Sequence, residues 1–168
     1  MDDFDSIFEQ YRSRIYRYLC QLVRDPDLAE DLAQDTFIKA YKALARKSQP
    51  DNLRAWLYAI ATNTAFSALR RRKLIAWLPF HDSSEVTGKA SRSDHEARLG
   101  ERELVAQALA RLPERDVACL LLHFQQGLSC AEVAEALGVS PAAGKSRLYR
   151  ARAAFCRAYQ SLSQEVKA

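Results

Sequence analysis

Glycine and proline are scarce in this 168-residue chain, five of each, and long β-branched runs are absent. That leaves few of the turn signals that punctuate a sheet and points to an all-α protein. No apolar run approaches the ~20 residues that a membrane span needs. The opening Met-Asp-Asp-Phe-Asp lacks the apolar core of a signal peptide, so a cytoplasmic location is expected. Four cysteines occur (Cys20, Cys119, Cys130 and Cys156) without a C-x-x-C pair, which suits small buried thiols in a reducing compartment. Cys119 and His123 stand four apart on one expected helix, but two ligands without a second pair do not make a zinc site. With no nucleophile–base pairing, phosphate-cradling Gly loop or metal set, the expectation is no enzyme, cofactor or small-molecule substrate. No internal repeat is apparent. One absence is more telling: no acidic residue lies between Glu135 and Glu165.

That acid-free stretch begins inside Gly127–Arg152, GLSCAEVAEALGVSPAAGKSRLYRAR. Ser129 with Glu132 three residues on is a capping box, and Gly138 suits the stop of a short helix. Ser140 is the next N-cap, with Pro141 at the first helical position, where its missing N–H does no harm. The turn between the two has helix-turn-helix length. From Lys145 the second helix reads Lys-Ser-Arg-Leu-Tyr-Arg-Ala-Arg. That sequence fits a helix laid in the major groove, with cations on phosphates and base edges. The plainer alternative is a helical hairpin with a solvated basic face. Cap, turn and charge asymmetry coincide here, which favours DNA.

Hydrophobic residues make up 48% of the chain, so true cores are expected, and the net charge of +4 is mild. A first helix, about Ser6 to Val23, carries Phe4, Ile7, Phe8, Tyr11, Ile15, Leu19, Leu22 and Val23 as one apolar stripe. Asp25 and Pro26 start a second helix, to about Arg46, burying Leu28, Leu32, Phe37, Tyr41 and Leu44. Its acids come early and its bases late, as the helix dipole favours. The dipole does not explain why Asp31, Gln34 and Asp35 share one side, a candidate docking patch for a basic protein. After the polar loop Lys47–Asn52, a third helix, about Leu53 to Lys73, turns Leu53, Trp56, Leu57, Ile60 and Thr64 inward. Ala59, Asn63, Ser67 and Arg70 fall on another face. Its end, Arg70-Arg71-Arg72-Lys73, exceeds what the dipole alone asks for, and phosphate contact accounts for the surplus.

Residues 80–92 lose apolar periodicity and read as a flexible linker. The domains are therefore expected at 1–79 and 93–168, the second opening on a Ser93/Glu96 capping box. It continues through a helix carrying Leu99, Leu104, Val105, Ala108, Leu109 and Leu112 and another from about Glu114 to Gln125. The expected fold is two small helical domains, the second ending in a helix-turn-helix.

With both halves laid out, the chain resembles a bacterial RNA polymerase sigma factor of the extracytoplasmic-function type, from about Phe8 to Tyr159. Three blocks carry the resemblance: Asp31-Leu-Ala-Gln-Asp-Thr-Phe37; Arg54-Ala-Trp-Leu-Tyr-Ala-Ile-Ala-Thr-Asn-Thr-Ala65 with Arg70–Arg72; and Leu112-Pro-Glu-Arg115 with Gly127-Leu-Ser129 and Lys145–Arg152. It implies that Asp31, Gln34, Asp35 and Phe37 bind core RNA polymerase. The loop residues Lys47, Ser48, Gln49 and Asn52 would accept a flipped −10 base. Asn63 and Ser67 would face the opened strand, and Arg70, Arg71, Arg72 and Lys73 would hold its phosphates. Lys145, Ser146, Arg147, Tyr149 and Arg150 would meet the −35 duplex. Trp56 offers a stacking platform, but its place on the apolar stripe assigns it to the core. An anti-sigma factor, often membrane-anchored, is the further partner implied, and the linker would thread polymerase channels. A free-standing helix-turn-helix regulator is the alternative function, which the acidic patch and the Arg-Arg-Arg-Lys end do not require. The chain departs from its relatives at Ala59, where an Arg is common, and at Ala143 and Gly144, where many carry Thr and a β-branched residue. Glycine inside a helix costs about 1 kcal/mol against alanine. The expectation is a softer recognition helix, which Gly144→Val would firm, or closer packing of its two helices.

Overall fold

A computed structural model of the chain describes residues 2–46, 50–76 and 96–165. Lys47, Ser48, Gln49, the segment 80–92 and the Ser93 cap lie outside the described residues. The rest is helical: α1 (Asp2–Val23), α2 (Pro26–Ala45), α3 (Leu53–Ala76), α4 (Glu96–Ala110), α5 (Glu114–Leu120), α6 (Cys130–Ala136) and α7 (Pro141–Glu165). A π-helical turn, Leu121–Gln125, continues α5. Two compact units are present, and α1 to α3 build the first. The first helix starts earlier than its apolar stripe, and α3 runs three residues past Lys73. A stripe marks where a helix is buried, not where it ends.

Inside the first unit, α1 packs on α2 and α3, and α2 packs on α3. Asp25 caps α2 through a 3.0 Å bond from the Leu28 N–H to its Oδ1. The turn before it puts Arg24 at φ 56, a left-handed conformation that L-residues adopt at a cost. The α1 stripe is buried at Ile7, Tyr11, Ile15, Leu19 and Leu22, and Tyr18, which falls off the counted stripe, is fully buried with them. On α3 the expected inward face is rotated. Leu57 and Thr64 are buried as expected, but Tyr58, Ala61, Thr62 and Ala65 complete the core, and Leu53, Trp56 and Ile60 are only half-buried. The reason is polar: the Tyr18 and Thr62 hydroxyls bond across the core at 2.7 Å. Thr62 Oγ1 also donates to the Tyr58 carbonyl at 2.7 Å, so a pair that looks hydrophilic in sequence is satisfied inside. Burial pushes the Tyr58 hydroxyl up to about 12, against nearby Arg14.

In the second unit, α4 and α5 pack on α7. The capping box forms in full: the Ser129 N–H donates to Glu132 Oε2 at 2.6 Å, and the Glu132 N–H to Ser129 Oγ at 3.3 Å. Gly138 at φ +65 ends α6 in a Schellman motif, with Val139 N–H to Ala134 O and Gly138 N–H to Glu135 O, both 3.0 Å. Gly127, φ +68, ends the π-helical turn in a wider closure, as the Leu128 N–H reaches back six residues to Leu122 O at 3.0 Å. Ser140 caps α7 through the Ala143 N–H at 3.3 Å.

Gly144 resolves the two expectations stated for it in favour of close packing. It is buried, and a Cβ there would stand 2.5 Å from Ala134 Cβ and 3.1 Å from Ala134 Cα. Helices α6 and α7 cross at this contact, so a β-branched residue forces them apart instead of firming the helix. Gly144→Val should lower unfolding free energy by about 2 kcal/mol or more, the scale of core overpacking. Urea denaturation checks it. Ala134→Gly in the same chain should recover part of the loss, and a Gly144→Val protein as stable as wild type would refute the close contact.

Candidate nucleic-acid interface

Turning Tyr58 and Thr62 inward sets what α3 shows outside. Trp56, Ile60, Asn63 and Ser67 follow each other at helical spacing and line a shallow groove, closed on its other side by Lys39 and Ala43 of α2. Lys39 Nζ donates to Thr64 Oγ1 at 2.9 Å and ties the groove's two walls together. Asn63 is exposed and Ser67 half-buried. Trp56 stands with them and not in the core, a correction to the sequence reading. The missed signal is the spacing itself, since Trp56 lies seven residues before Asn63, two turns along the same face. Asn52 Oδ1 accepts the Ala55 N–H at 3.0 Å and so starts α3.

The same row continues to Arg70 by spacing. Arg70 and Arg71 are exposed and make no ion pair among the described residues, and Lys73 is exposed. Arg72 differs. Its Nη2 lies 2.8 Å from Asp25 Oδ2, so this cation is paired with the residue that caps α2. The Leu28 N–H bond, then the Arg72 guanidinium, hold the Asp25 carboxyl below the usual carboxylate range, against the effect of burial.

On α2 the residues Asp31, Gln34 and Asp35 are exposed. Phe37 is not: it is buried, with its ring edge-on to Phe8 at 4.9 Å, and presenting it to a partner would open the core. Its neighbour Ile38, 43% exposed, occupies the outer row seven residues after Asp31, followed by Tyr41 at 49%. That period was the signal for Ile38.

On α7, Lys145, Ser146, Tyr149 and Arg150 are exposed along one side, Tyr149 at 77%. Arg147 points elsewhere, with Nη1 2.7 Å from Asp116 Oδ1, and both side chains are sheltered at 29% and 20% exposure. It joins α7 to α5, a brace more than a DNA contact. Burial pushes the Cys119 thiol up to about 11, so it stays protonated at neutral pH, and His123 Nδ1 bonds the Leu128 carbonyl at 2.7 Å. Among the described residues no three His, Cys, Asp or Glu side chains gather as a metal site. None of the described helices is long and apolar enough to cross a membrane.

Known proteins carry the same two halves. Residues 7–75 match Sigma-70 region 2 and residues 102–155 match Sigma-70 region 4. The RNA polymerase sigma factor YlaC of Bacillus subtilis is 31% identical, over 90% of this chain and 88% of its own. The RNA polymerase sigma-H factor of Pseudomonas aeruginosa is 32% identical, over 97% and 89%. The ECF RNA polymerase sigma factor SigM of Mycobacterium tuberculosis is 30% identical, over 92% and 76%. The fold is that of the sigma factor RpoE solved with the anti-sigma factor NepR from Bartonella quintana (TM-score 0.74, 24% identity, 95% and 98% covered). CnrH, solved with the cytosolic domain of CnrY, is similar at TM-score 0.66 and 25% identity, with 94% and 88% covered. The chain belongs to the Sigma-70 family of RNA polymerase sigma factors, of the extracytoplasmic-function type. Such a protein directs promoter-specific transcription initiation, and a free-standing regulator is set aside because both halves match.

The Asp25–Arg72 pair makes a pH-dependent prediction. A depressed carboxyl contributes stability above its unfolded value, about 4, which is lost as pH falls through the lower folded value. A carbon-13 titration should place the Asp25 midpoint below that of a free aspartate. Arg72→Gln should raise it part of the way back, leaving the Leu28 contribution. An unmoved midpoint would show that the pair does not form in solution.

Proposed function

We propose that residues 1–79 dock on core RNA polymerase and take the −10 element, and that 93–168 read the −35 duplex, across a linker at 80–92. The outer row of α2 (Asp31, Gln34, Asp35 and Ile38) docks on the polymerase, its carboxylates meeting a basic surface while Ile38 and Tyr41 supply apolar contact. The groove of Trp56, Asn63 and Ser67 receives an unpaired base of the opened strand. Trp56 provides a face for stacking, and the Asn63 amide offers donors and acceptors to a base edge. Arg70, Arg71 and Lys73 hold the phosphates beside it, and the loop residues Lys47, Ser48, Gln49 and Asn52 accept a flipped −10 base, as the family resemblance implies. Lys145, Ser146, Tyr149 and Arg150 face the −35 duplex. The carrying observation is the placement of Trp56 outside the core, in one row with Asn63 and Ser67.

The chain works as a recognition subunit in the cytoplasm, not as an enzyme, and requires no cofactor or small-molecule substrate. An anti-sigma factor, anchored at the membrane, covers these faces when the chain is idle. The pairing of CnrH with the cytosolic domain of CnrY supports that partner.

Binding to core polymerase, compared between wild type and Asp31→Lys/Asp35→Lys, tests the docking face. The charge reversals should abolish binding while leaving the fold intact, and unchanged binding would discard that face. For the groove, Trp56→Ala should weaken binding of holoenzyme to a single-stranded −10 oligonucleotide by roughly tenfold, within the ~1–3 kcal/mol of one stacked base. Equal affinity would return Trp56 to a purely structural role.

A further inference from the structure

The Asp25 carboxylate uses a different oxygen for each of its two main partners, with the Asp27 backbone N–H a lesser third. Oδ1 accepts the Leu28 N–H that caps α2, at 3.0 Å, and Oδ2 faces Arg72 Nη2 at 2.8 Å. The two bonds do not compete, so losing Arg72 leaves the cap in place. Exposure divides the pair as well: the Asp25 side chain is sheltered and that of Arg72 is half-exposed. The anion is fixed in the fold, and the cation is within reach of anything arriving from solvent. An ion pair with one half-exposed arm is weakly held, in contrast to the sheltered Arg147–Asp116 brace. The neighbours Arg70 and Arg71, on the same helix turn, have no such partner among the described residues.

We infer that Asp25 is a positioning residue that withholds Arg72 from the DNA backbone in the unbound chain and yields it when a phosphate is presented at the end of α3. The inference rests on the reading that this helix end meets phosphates. On binding, the guanidinium exchanges one oxyanion for another, a carboxylate for a phosphate, and keeps a charge-assisted bond throughout. Before binding, the cation is neutralised and adds nothing to attraction for DNA of arbitrary sequence. Affinity for a DNA backbone is thereby lower than an unpaired Arg72 would give.

The test is a titration of the full chain into a labelled duplex of arbitrary sequence, from about 20 to about 200 mM salt, for wild type, Asp25→Asn and Asp25→Asn/Arg72→Gln. Asparagine caps a helix as well as aspartate does, so thermal unfolding of Asp25→Asn serves as the structural control. Asp25→Asn should bind more tightly and steepen the salt slope by about 0.9, one extra phosphate contact, which is roughly a threefold steeper loss over each fourfold rise in salt. The double variant should return to the wild-type slope. Asp27→Asn, which adds the same unit of charge two residues on, should not reproduce the effect. An unchanged slope in Asp25→Asn, a steep slope that survives in the double variant, or the same gain in Asp27→Asn would each overturn the inference. So would an absence of binding by both wild type and Asp25→Asn at the lowest salt; binding that appears only in Asp25→Asn supports it. Arg70→Gln/Arg71→Gln separates the two readings. If that variant leaves the slope of the DNA-binding chain unchanged, the helix end does not meet phosphate and the functional reading fails there. If it flattens the slope while Asp25→Asn has no effect, only the withholding is wrong.

Discussion

The hydroxyl-to-hydroxyl bond between Tyr18 and Thr62 fixes how α3 is rotated against α1, and most of what the first unit does depends on that rotation. Both residues are buried, and an unpartnered hydroxyl at either place would cost about 1–3 kcal/mol. Turning α3 to bring Trp56 inside would break the bond between the two hydroxyls, while Thr62 would keep the Tyr58 carbonyl of its own helix. The edge-on contact of the Tyr18 and Tyr58 rings, 5.4 Å apart, adds directional packing to the same orientation. With Tyr58, Ala61, Thr62 and Ala65 committed to the core, the row Trp56–Ile60–Asn63–Ser67 has to face outward. A polar bond in the core thus decides the chemistry of the outer face.

This is also where the sequence was least legible. Counting apolar residues on α3 favours Trp56 and Ile60 for the core and leaves out Thr62, because Thr62 lies off the stripe that runs through Leu53, Trp56, Leu57, Ile60 and Thr64. The acceptor for Thr62 is the Tyr58 carbonyl one turn back and its cross-core partner is 44 residues away, and only the first of these is a local feature. Termini were legible for the opposite reason. The Asp25, Ser129 and Ser140 caps and the Gly138 stop are contacts within a few residues, so the spacing states them outright. Phe37 and Ile38 show the boundary between the two cases: helical spacing already assigned Phe37 to the core and only the family resemblance gave it to a partner, while the seven-residue period from Asp31 pointed to its neighbour.

Charge was legible as quantity and not as commitment. Four consecutive cations end α3 and a further series lines α7, yet Arg72 in the first group and Arg147 in the second already have a carboxylate from another helix or turn. Arg147 and Asp116 lie 31 residues apart and Arg72 and Asp25 lie 47 apart, separations over which no helical rule operates. The pairs differ in what they can do. With both ends sheltered, removing one partner of Arg147–Asp116 strands a charge that solvent reaches poorly, so the pair acts as a brace between α5 and α7. Arg72 has solvent on one side and can leave at little cost.

The helix-turn-helix shows the same economy in its backbone. Two residues with positive φ, Gly127 and Gly138, close the π-helical turn before α6 and α6 itself, and Gly144 lets α7 cross it with no Cβ between them. The propensity penalty of a glycine within α7, about 1 kcal/mol, is local and visible in the sequence. The gain, a closer approach of α7 to Ala134, is tertiary and is not. Because Gly144 lies one residue before Lys145, the contact that brings the two helices together also fixes the start of the exposed row Lys145, Ser146, Tyr149 and Arg150. A larger residue there would move the whole row relative to α6, so the departure from the family pattern sets the geometry of this exposed row without adding a side chain to it.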